Sequence, residues 1–298
     1  MLQITNDFKT KIFAALQDVR GNYSGSDAAF SKQWGINHAV YSRLKGGEID
    51  GLLKDTQWLN IGRELNVSLS ERKWNIARTD VFTIIERDVD FCQTYAKGKM
   101  CVDDCGIGKT YTAKYLARTR KNCFYVDASQ AKGVHLLIKA IAKAIGVDAA
   151  GKYADIKANI KYCLKNLPNP VVIIDEAGDL NQAALLEIKE LWNATEGACG
   201  WYLMGAEGFK KVMDKGMYNK KPGFKELFSR LSERYTTTVP MNPHEKAEFY
   251  RKLISDVLSA NMPDKGRLNE IVKKCLVVDG SGQIGGLRRA ESLLIINS

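Results

Sequence analysis

Two motifs constrain the fold of this chain more than any other feature. DDCGIGKT occupies residues 103–110, between the strand-like segment KMCVDD and a predicted helix that starts at Gly108. PVVIIDE, at residues 170–176, is an apolar run that ends in two carboxylates. Such a run is typical of a strand buried on both faces of a parallel sheet. Because ligands bind these sheets at the carboxyl ends of the strands, we predict that the motifs meet at that edge.

The first motif has the residues that a phosphate-binding loop needs. Gly106 and Gly108 let the backbone approach a phosphate, and the amides of the loop and of the following helix supply partial positive charge. Lys109 is predicted to reach the β and γ phosphates, and the Thr110 hydroxyl to bind Mg²⁺. The predicted nucleotide-binding segment is Cys105, Gly106, Ile107, Gly108, Lys109, Thr110 and Tyr111.

This loop departs from the usual pattern at its start. The pattern begins with glycine, but Asp103 stands there and Asp104 follows it. Two carboxylates beside a triphosphate repel it, so we expect weaker nucleotide binding at this loop.

The second motif supplies the carboxylates that hydrolysis requires. Asp175 is predicted to hold Mg²⁺ through water, and Glu176 to polarise the attacking water. ATP and Mg²⁺ are therefore the predicted cofactors, and ATP hydrolysis is the predicted reaction.

Hydrophobic patterns divide the chain into three parts. Residues 1–72 contain several short helical segments, residues 73–240 alternate strands with amphipathic helices, and residues 241–298 are helical again. The alternation predicts an α/β fold with a parallel sheet flanked by helices. The sequence has no apolar run long enough to span a membrane and no signal peptide at its start, so we expect a cytoplasmic protein without membrane contact. The seven cysteines are scattered, with no CxxC pair, and are interpreted as reduced thiols.

Charge indicates a polyanionic partner. Lys and Arg number 44 against 34 Asp and Glu, a net charge of +10. Lysines are concentrated at 209–225, which we interpret as a loop that contacts duplex DNA through its phosphates, independently of sequence. The predicted contacts there are Lys210, Lys211, Lys215, Lys220 and Lys221, with Lys132 as a further candidate.

The segment SDAAFSKQWGINHAVYSRLKGG has the spacing of a helix-turn-helix, with Gly35 in the turn and Ile36 and Val40 directed inward. Its second helix is predicted to present Asn37, His38, Tyr41 and Arg43 to a DNA groove. An ordinary helical hairpin without DNA contact is the competing interpretation.

From about residue 78 to 298, the order of GIGKT, IIDE, FSRLSERY and GGLRRA resembles the AAA+ ATPases. The resemblance implies that FSRLSERY carries an arginine finger, Arg230 or else Arg234, that reaches the nucleotide of a neighbouring subunit. It also implies that Arg288, or else Arg289, contacts phosphate from a C-terminal lid. After the strand WYLMG the family usually has a polar sensor, for which Glu207 is a weak substitute here.

A helix-turn-helix region before a compact AAA+ module also resembles the MuB-type transposition ATPases and their TnsC-like and IstB-like relatives. That resemblance implies assembly into a ring or helical filament on double-stranded DNA, target selection, and stimulation of a DDE-type transposase. A helicase loader or replication initiator would have the same site residues. The sequence is also compatible with a transcriptional regulator that uses ATP only as a ligand, and with a signalling ATPase that does not contact DNA.

Overall fold

The central sheet forms from the short apolar segments between helices. A computed structural model describes residues 4–23, 25–65, 67–68, 74–262, 264–277 and 284–296. Its strands are β1 (Gly98–Val102), β2 (Cys123–Asp127), β3 (Val171–Asp175), β4 (Gly200–Gly205) and β5 (Tyr235–Thr236). They pair in parallel in the order β2-β3-β4-β1-β5. The predicted parallel sheet is confirmed, and β5 is a further strand that the sequence did not indicate.

Helices precede, cover and follow this sheet. In chain order, the α-helices of the described residues are α1 (Asn6–Asn22), α2 (Asp27–Gln33), α3 (His38–Lys45), α4 (Asp55–Glu64), α5 (Asp80–Tyr95), α6 (Lys109–Thr119), α7 (Val134–Ile145), α8 (Tyr153–Asn166), α9 (Gln182–Ala194), α10 (Glu207–Tyr218), α11 (Phe224–Arg230), α12 (Pro243–Asn261), α13 (Leu268–Cys275) and α14 (Leu287–Ile296). None of them combines the length and the apolar character that a membrane-spanning helix requires.

Each face of the sheet has its own hydrophobic core. Val172 and Ile174 of β3 pack with residues of α7, α8 and α9. Val171 and Ile173 point to the other face and pack with residues of α5, α6, α12, α13 and α14. Because both faces are covered, β3 and β4 are buried throughout, as the apolar run in PVVIIDE predicted.

The N-terminal helices α1 to α4 surround a core of their own. It contains Phe8, Ile12, Leu16, Phe30, Ile36, Tyr41, Leu44, Leu53, Trp58 and Ile61. The predicted boundary at residues 72 and 73 falls in 69–73, outside the described residues. The division into domains and the interpretation of 241–298 as a lid stay predictions.

The prediction of a lysine-rich loop over 209–225 was wrong. Residues 207–218 form α10, and α11 begins at Phe224. Phe209, Met213 and Gly216 are buried at helical spacing, and a Cβ at Gly216 would clash with the Phe224 ring. Gly216 is thus a packing position between two helices.

Candidate nucleotide-binding site and basic surfaces

The phosphate loop connects the end of β1 to the start of α6. Gly106 (φ 73°) and Gly108 (φ 99°) adopt left-handed backbone conformations that glycine accepts without steric cost. The loop is held from two sides, because Ile107 is buried in the core and the Leu287 N–H donates to the Gly106 carbonyl at 2.8 Å. The beginning of α14 therefore lies directly against the loop.

Lys109 begins α6 and is almost fully buried. Its ammonium group donates to the carbonyl oxygens of Asp103 (2.8 Å) and Asp104 (2.6 Å). These contacts use two of the three donors of the lysine ammonium group and fix its charge at the start of the loop.

The sequence did not predict the partners of the two carboxylates of the loop. Asp103 Oδ1 accepts from the Asp104 N–H within the loop at 2.9 Å. Asp103 Oδ2 accepts from the amide and hydroxyl of Thr238, and Asp103 also accepts from the Val239 N–H. Asp104 Oδ2 accepts from Lys246 (2.6 Å) and from the Tyr250 hydroxyl (2.9 Å) of α12. Burial opposes the charge of Asp104, but the hydrogen bonds from Lys246 and Tyr250 outweigh it and lower the pKa of this carboxyl. The ion pair with Lys246 thus screens the charge of Asp104, and the hydrogen bonds to Thr238 and Val239 engage the Asp103 carboxylate, so the repulsion of a phosphate should be smaller than the sequence suggested.

Asp175 and Glu176 follow β3 at the carboxyl edge of the sheet. Asp175 is buried, and its Oδ2 accepts from the Tyr125 hydroxyl of β2 at 3.0 Å. Its Oδ1 accepts from the Glu176 N–H at 2.9 Å. Glu176 has a left-handed backbone (φ 51°), which is unusual for a residue other than glycine. Burial, and then the neighbouring Asp175, raise the pKa of Glu176.

The oxygen donors at this edge fit a magnesium ion. Mg²⁺ prefers oxygen ligands and commonly uses one or two carboxylates together with phosphates and water. The Asp175 carboxylate and the Thr110 hydroxyl are of this type, and Thr110 lines the cavity above the loop together with Glu176. Among the described residues no group of three or more His, Cys, Asp or Glu side chains could hold a metal. Phosphate oxygens and water would therefore have to complete the coordination.

One cavity extends from the phosphate loop between the segment 74–79 and α14. It is lined by the predicted residues Cys105, Gly106, Ile107, Gly108, Lys109, Thr110, Tyr111, Glu176 and Arg288. Arg289 points elsewhere, because its Nη1 donates to the Val277 carbonyl at 2.8 Å. Glu207 is on the surface and pairs with Lys211 at 3.0 Å.

Sequence reasoning missed several residues of this cavity. Trp74 Nε1 donates to Glu291 at 3.3 Å, and the Tyr111 hydroxyl donates to the Trp74 carbonyl at 2.7 Å. The Asn75 N–H donates to the side chain of Asn261 at 2.6 Å. These contacts join segments that lie far apart along the chain, and no local motif marks them.

The segment 228–235, which contains Arg230 and Arg234 and is called the arginine box here, begins near the amino end of β1, whereas the phosphate loop follows its carboxyl end. Ser232 Oγ donates to the carbonyl of Gly98, the first residue of β1, at 2.6 Å. Arg230 hydrogen bonds to Asn193 and to the Glu226 carbonyl, and its guanidinium lies 5.5 Å from the centroid of the Trp192 ring. Arg234 is exposed and has no ion-pair partner within the described residues.

The predicted basic contacts are exposed. Lys210, Lys211, Lys215, Lys220 and Lys221 lie on α10 and on the turn that follows it. Lys210 packs on the Tyr235 ring, and Lys221 donates to Gln182 at 3.2 Å. Lys132 forms an ion pair with Asp179 at 3.4 Å.

The α2–α3 pair turns at Gly35 (φ 65°). Asn37 and His38 are exposed, although the Asn37 side chain caps α3 by accepting from the Ala39 N–H. Arg43 is exposed and pairs with Glu48 at 2.6 Å.

The predicted contact of Tyr41 with DNA was wrong. Its side chain is fully buried against Phe30, and its hydroxyl accepts from Gln17 at 3.2 Å. Its position on α3 faces α1 and α2 because the small N-terminal core needs a large apolar ring there.

The fold and the site together define a P-loop nucleotide-binding protein. A loop with two left-handed glycines leads from β1 into α6, beside two carboxylates at the end of β3. Residues 100–213 match the family model described as an AAA domain. The chain therefore contains an AAA-type ATPase domain, which runs from β1 into α10 and implies nucleotide binding, usually with Mg²⁺. A search of curated proteins found no match to the chain.

Proposed function

We propose that the chain is a DNA-dependent ATPase that assembles on duplex DNA and controls the choice of target and the activity of a DDE-type transposase. The observation that carries the DNA part is the α10 basic surface, which we define as Lys210, Lys211, Lys215, Lys220 and Lys221. All five side chains are exposed on one helix and its following turn. A cluster of this kind suits a phosphate backbone, and a net charge of +10 adds long-range attraction.

Internal ion pairs leave much of this charge available. Lys211 pairs with Glu207, but both side chains are more than two-thirds exposed, and such pairs exchange readily with other anions. Lys221 bonds to the neutral Gln182, and the Asp214 carboxylate accepts from the Tyr235 hydroxyl. Contacts to phosphate through lysine position DNA without reading its sequence.

Hydrolysis in this proposal depends on positioning. The loop amides and Lys109 would hold the phosphates, Thr110 and Asp175 would hold Mg²⁺, and Glu176 would orient the attacking water and accept its proton. Phosphoryl transfer needs chiefly such positioning and charge stabilisation. Arg288 would stabilise the phosphates from the C-terminal helices.

The position of the arginine box favours a site shared between two copies of the chain. From Gly98 to the end of β1 the strand rises roughly 13 Å, at about 3.3 Å per residue, which separates the box from the chain's own phosphate loop. An arginine from this box would then serve the nucleotide of a neighbour. We favour Arg234 over Arg230 as this residue, because Arg230 is already engaged with Asn193, Glu226 and Trp192. Arg234 follows two left-handed residues, Ser232 (φ 67°) and Glu233 (φ 52°), a strained turn of the kind found at functional sites.

The N-terminal helices have an auxiliary role in this proposal. The exposed Asn37 and His38 could contact a groove, but Arg43 is paired with Glu48, and Tyr41 does not reach the surface. Weak contacts of this kind would add to binding through α10 without reading a defined operator.

The deciding experiment measures ATP hydrolysis with and without random-sequence duplex DNA across a series of salt concentrations. We expect DNA to raise turnover and salt to abolish the increase, because lysine–phosphate contacts release counterions. Hydrolysis that is indifferent to DNA would contradict the proposal and favour a protein-directed switch. A discrete operator footprint with no change in turnover would favour a transcriptional regulator. Copurification with a replicative helicase instead of a transposase would favour a helicase loader.

A further inference from the structure

Phe209, at the start of α10, is held in a slot between two glycines. A Cβ at Gly205, the last residue of β4, would lie 2.7 Å from Phe209 Cβ. A Cβ at Gly178 would lie 2.9 Å from the Phe209 nitrogen and 3.1 Å from its Cα. Phe209 itself is almost fully buried. Any larger residue at either glycine would therefore displace the start of α10.

The second glycine belongs to the turn that carries Glu176. The Asp179 N–H donates to the Glu176 carbonyl at 2.9 Å, and the Leu180 N–H donates to the Ala177 carbonyl. These bonds fix the turn 176–180 and hold Glu176 in its unfavourable left-handed conformation. Phe209 packs against the turn at Gly178, so the position of the Glu176 carboxylate depends on the position of α10.

One basic residue, Lys132, contacts this turn directly, and two others follow Phe209, which packs against it. Phe209 is followed directly by Lys210 and Lys211 of the α10 basic surface. Lys132 pairs with Asp179 in the same turn, and the Asn181 N–H donates to the Lys132 carbonyl at 3.0 Å. A phosphate backbone that binds Lys132 would compete with Asp179 for its ammonium group. Lys132 therefore contacts the segment that carries Glu176, and the α10 lysines are connected to that segment through Phe209.

We propose that Phe209 is a positioning residue for Glu176, and that α10 and the turn 176–180 transmit DNA binding to ATP hydrolysis. The coupling rests on the proposed DNA-dependent ATPase function. The positioning role does not, because it concerns basal hydrolysis as well. DNA bound to the lysines would fix the start of α10 and, through Phe209 and Gly178, the Glu176 carboxylate.

A matched pair of glycine substitutions tests the positioning role of Phe209 and its coupling to DNA binding. Gly178→Ala places a methyl group against the Phe209 backbone, whereas Gly208→Ala, on the neighbouring residue, meets no atom within 4 Å. Neither glycine has a positive φ, so alanine suits the backbone at both positions. The measurements are kcat and KM for ATP, binding of a fluorescent ATP analogue, and binding of labelled duplex DNA.

We expect Gly178→Ala to lower kcat about tenfold or more, because small displacements of a catalytic group are costly. Binding of the ATP analogue and of DNA should stay within about twofold of the unmodified protein, since Lys109 and the lysines are untouched. DNA should stimulate this variant less than the unmodified protein. Gly208→Ala should retain both the basal rate and the stimulation.

A second variant distinguishes a displaced Glu176 from a misfolded protein. Phe209→Leu keeps an apolar side chain in the slot and should lower kcat less than Gly178→Ala, again without loss of nucleotide binding. Unchanged kcat in Gly178→Ala would overturn the positioning role. Parallel loss of kcat, nucleotide binding and thermal stability in both variants would make the slot structural only and would also overturn it. If DNA fails to stimulate the unmodified protein, the coupling is refuted, and the basal kcat values still decide the role of Phe209.

Discussion

The nucleotide site and the α10 basic surface differ in how their charges are fixed. Lys109, Asp103 and Asp175 are buried, and each has hydrogen-bond partners at defined distances. The lysines of α10 are exposed and have at most one weak contact each within the described part of the chain. Removal of a buried, hydrogen-bonded charge is costly, whereas an exposed ion pair contributes little. Single substitutions should therefore be decisive in the nucleotide site and graded on the basic surface.

The largest effect should follow from a site completed by a second copy. If Arg234 is the residue that reaches the neighbour's nucleotide, Arg234→Ala should lower the turnover of assemblies about a thousandfold, the size of effect known for an arginine finger, and Arg230→Ala should lower it much less. Mixing Arg234→Ala with Glu176→Gln subunits should restore part of the activity, because one intact composite site then forms. If mixing restores no activity and Arg230→Ala is equally inactive, the segment 228–235 has a structural role and neither arginine is assigned to the neighbour's nucleotide.

Glu176→Gln should lower kcat about a hundredfold to a thousandfold while ATP stays bound, because a general base typically contributes that much. The pH profile sharpens this prediction. The raised pKa of Glu176 means that its carboxylate gains a proton at a pH above the ordinary range of a glutamate, so kcat should fall with acidification from that higher pH. Nucleotide binding, measured over the same pH range, should not follow kcat. A profile that is unchanged in Glu176→Gln would remove Glu176 from the reaction.

Lys109→Ala should weaken ATP binding about a hundredfold, on the order of 3 kcal/mol, since it removes the buried cation that we propose to bind the phosphates. Lys139→Ala, on the exposed face of α7, is the control and should leave binding unchanged. ATP affinity is measured directly by equilibrium binding. Equal affinity of the two variants would show that the loop does not hold the nucleotide.

The basic surface should respond more gently. Lys220→Gln combined with Lys221→Gln should reduce the slope of log affinity against log salt by about two units, near 0.9 for each lost phosphate contact. Affinity should fall alike for different DNA sequences. Lys139→Gln with Lys152→Gln removes the same charge from exposed positions on another surface and should leave the slope unchanged. A shift in sequence preference would contradict pure phosphate contact.

Parts of the nucleotide site could be predicted from the sequence because local backbone geometry and burial determine their residues. These parts are Gly106, Gly108 and the apolar run that ends at Asp175. Asp103 accepts hydrogen bonds from Thr238 and Val239. These two residues lie far along the chain, just after the two-residue strand β5, and no local sequence pattern predicts the contact.

The N-terminal and α10 regions were harder to predict for a different reason. Tyr41 is polar enough for a surface position, yet a small core required its ring. The segment 209–225 was interpreted as a loop, but most of it is helical, and Gly216 within it makes room for Phe224. In both cases, packing between elements decided the outcome over local composition.

The smallest effect should come from Asp104, where sequence and structure lead to opposite expectations. If its charge repelled phosphate, Asp104→Asn would tighten ATP binding. Asp104 bonds to Lys246 and Tyr250 in the structure, so we expect ATP affinity to change less than about twofold in Asp104→Asn. The free energy of unfolding should fall by about 0.2–1 kcal/mol, as for a half-exposed ion pair.

The pKa of Asp104 is lowered in the folded chain, so this stabilisation is present above the carboxyl's ordinary pKa and is lost as the pH falls through the lowered value. Unfolding measured from neutral to acid pH should therefore show a constant difference between the two proteins that disappears only in strong acid. A double-mutant cycle with Lys246→Gln separates the ion pair from the Tyr250 hydrogen bond, and tighter ATP binding by Asp104→Asn would restore the repulsion that the sequence suggested.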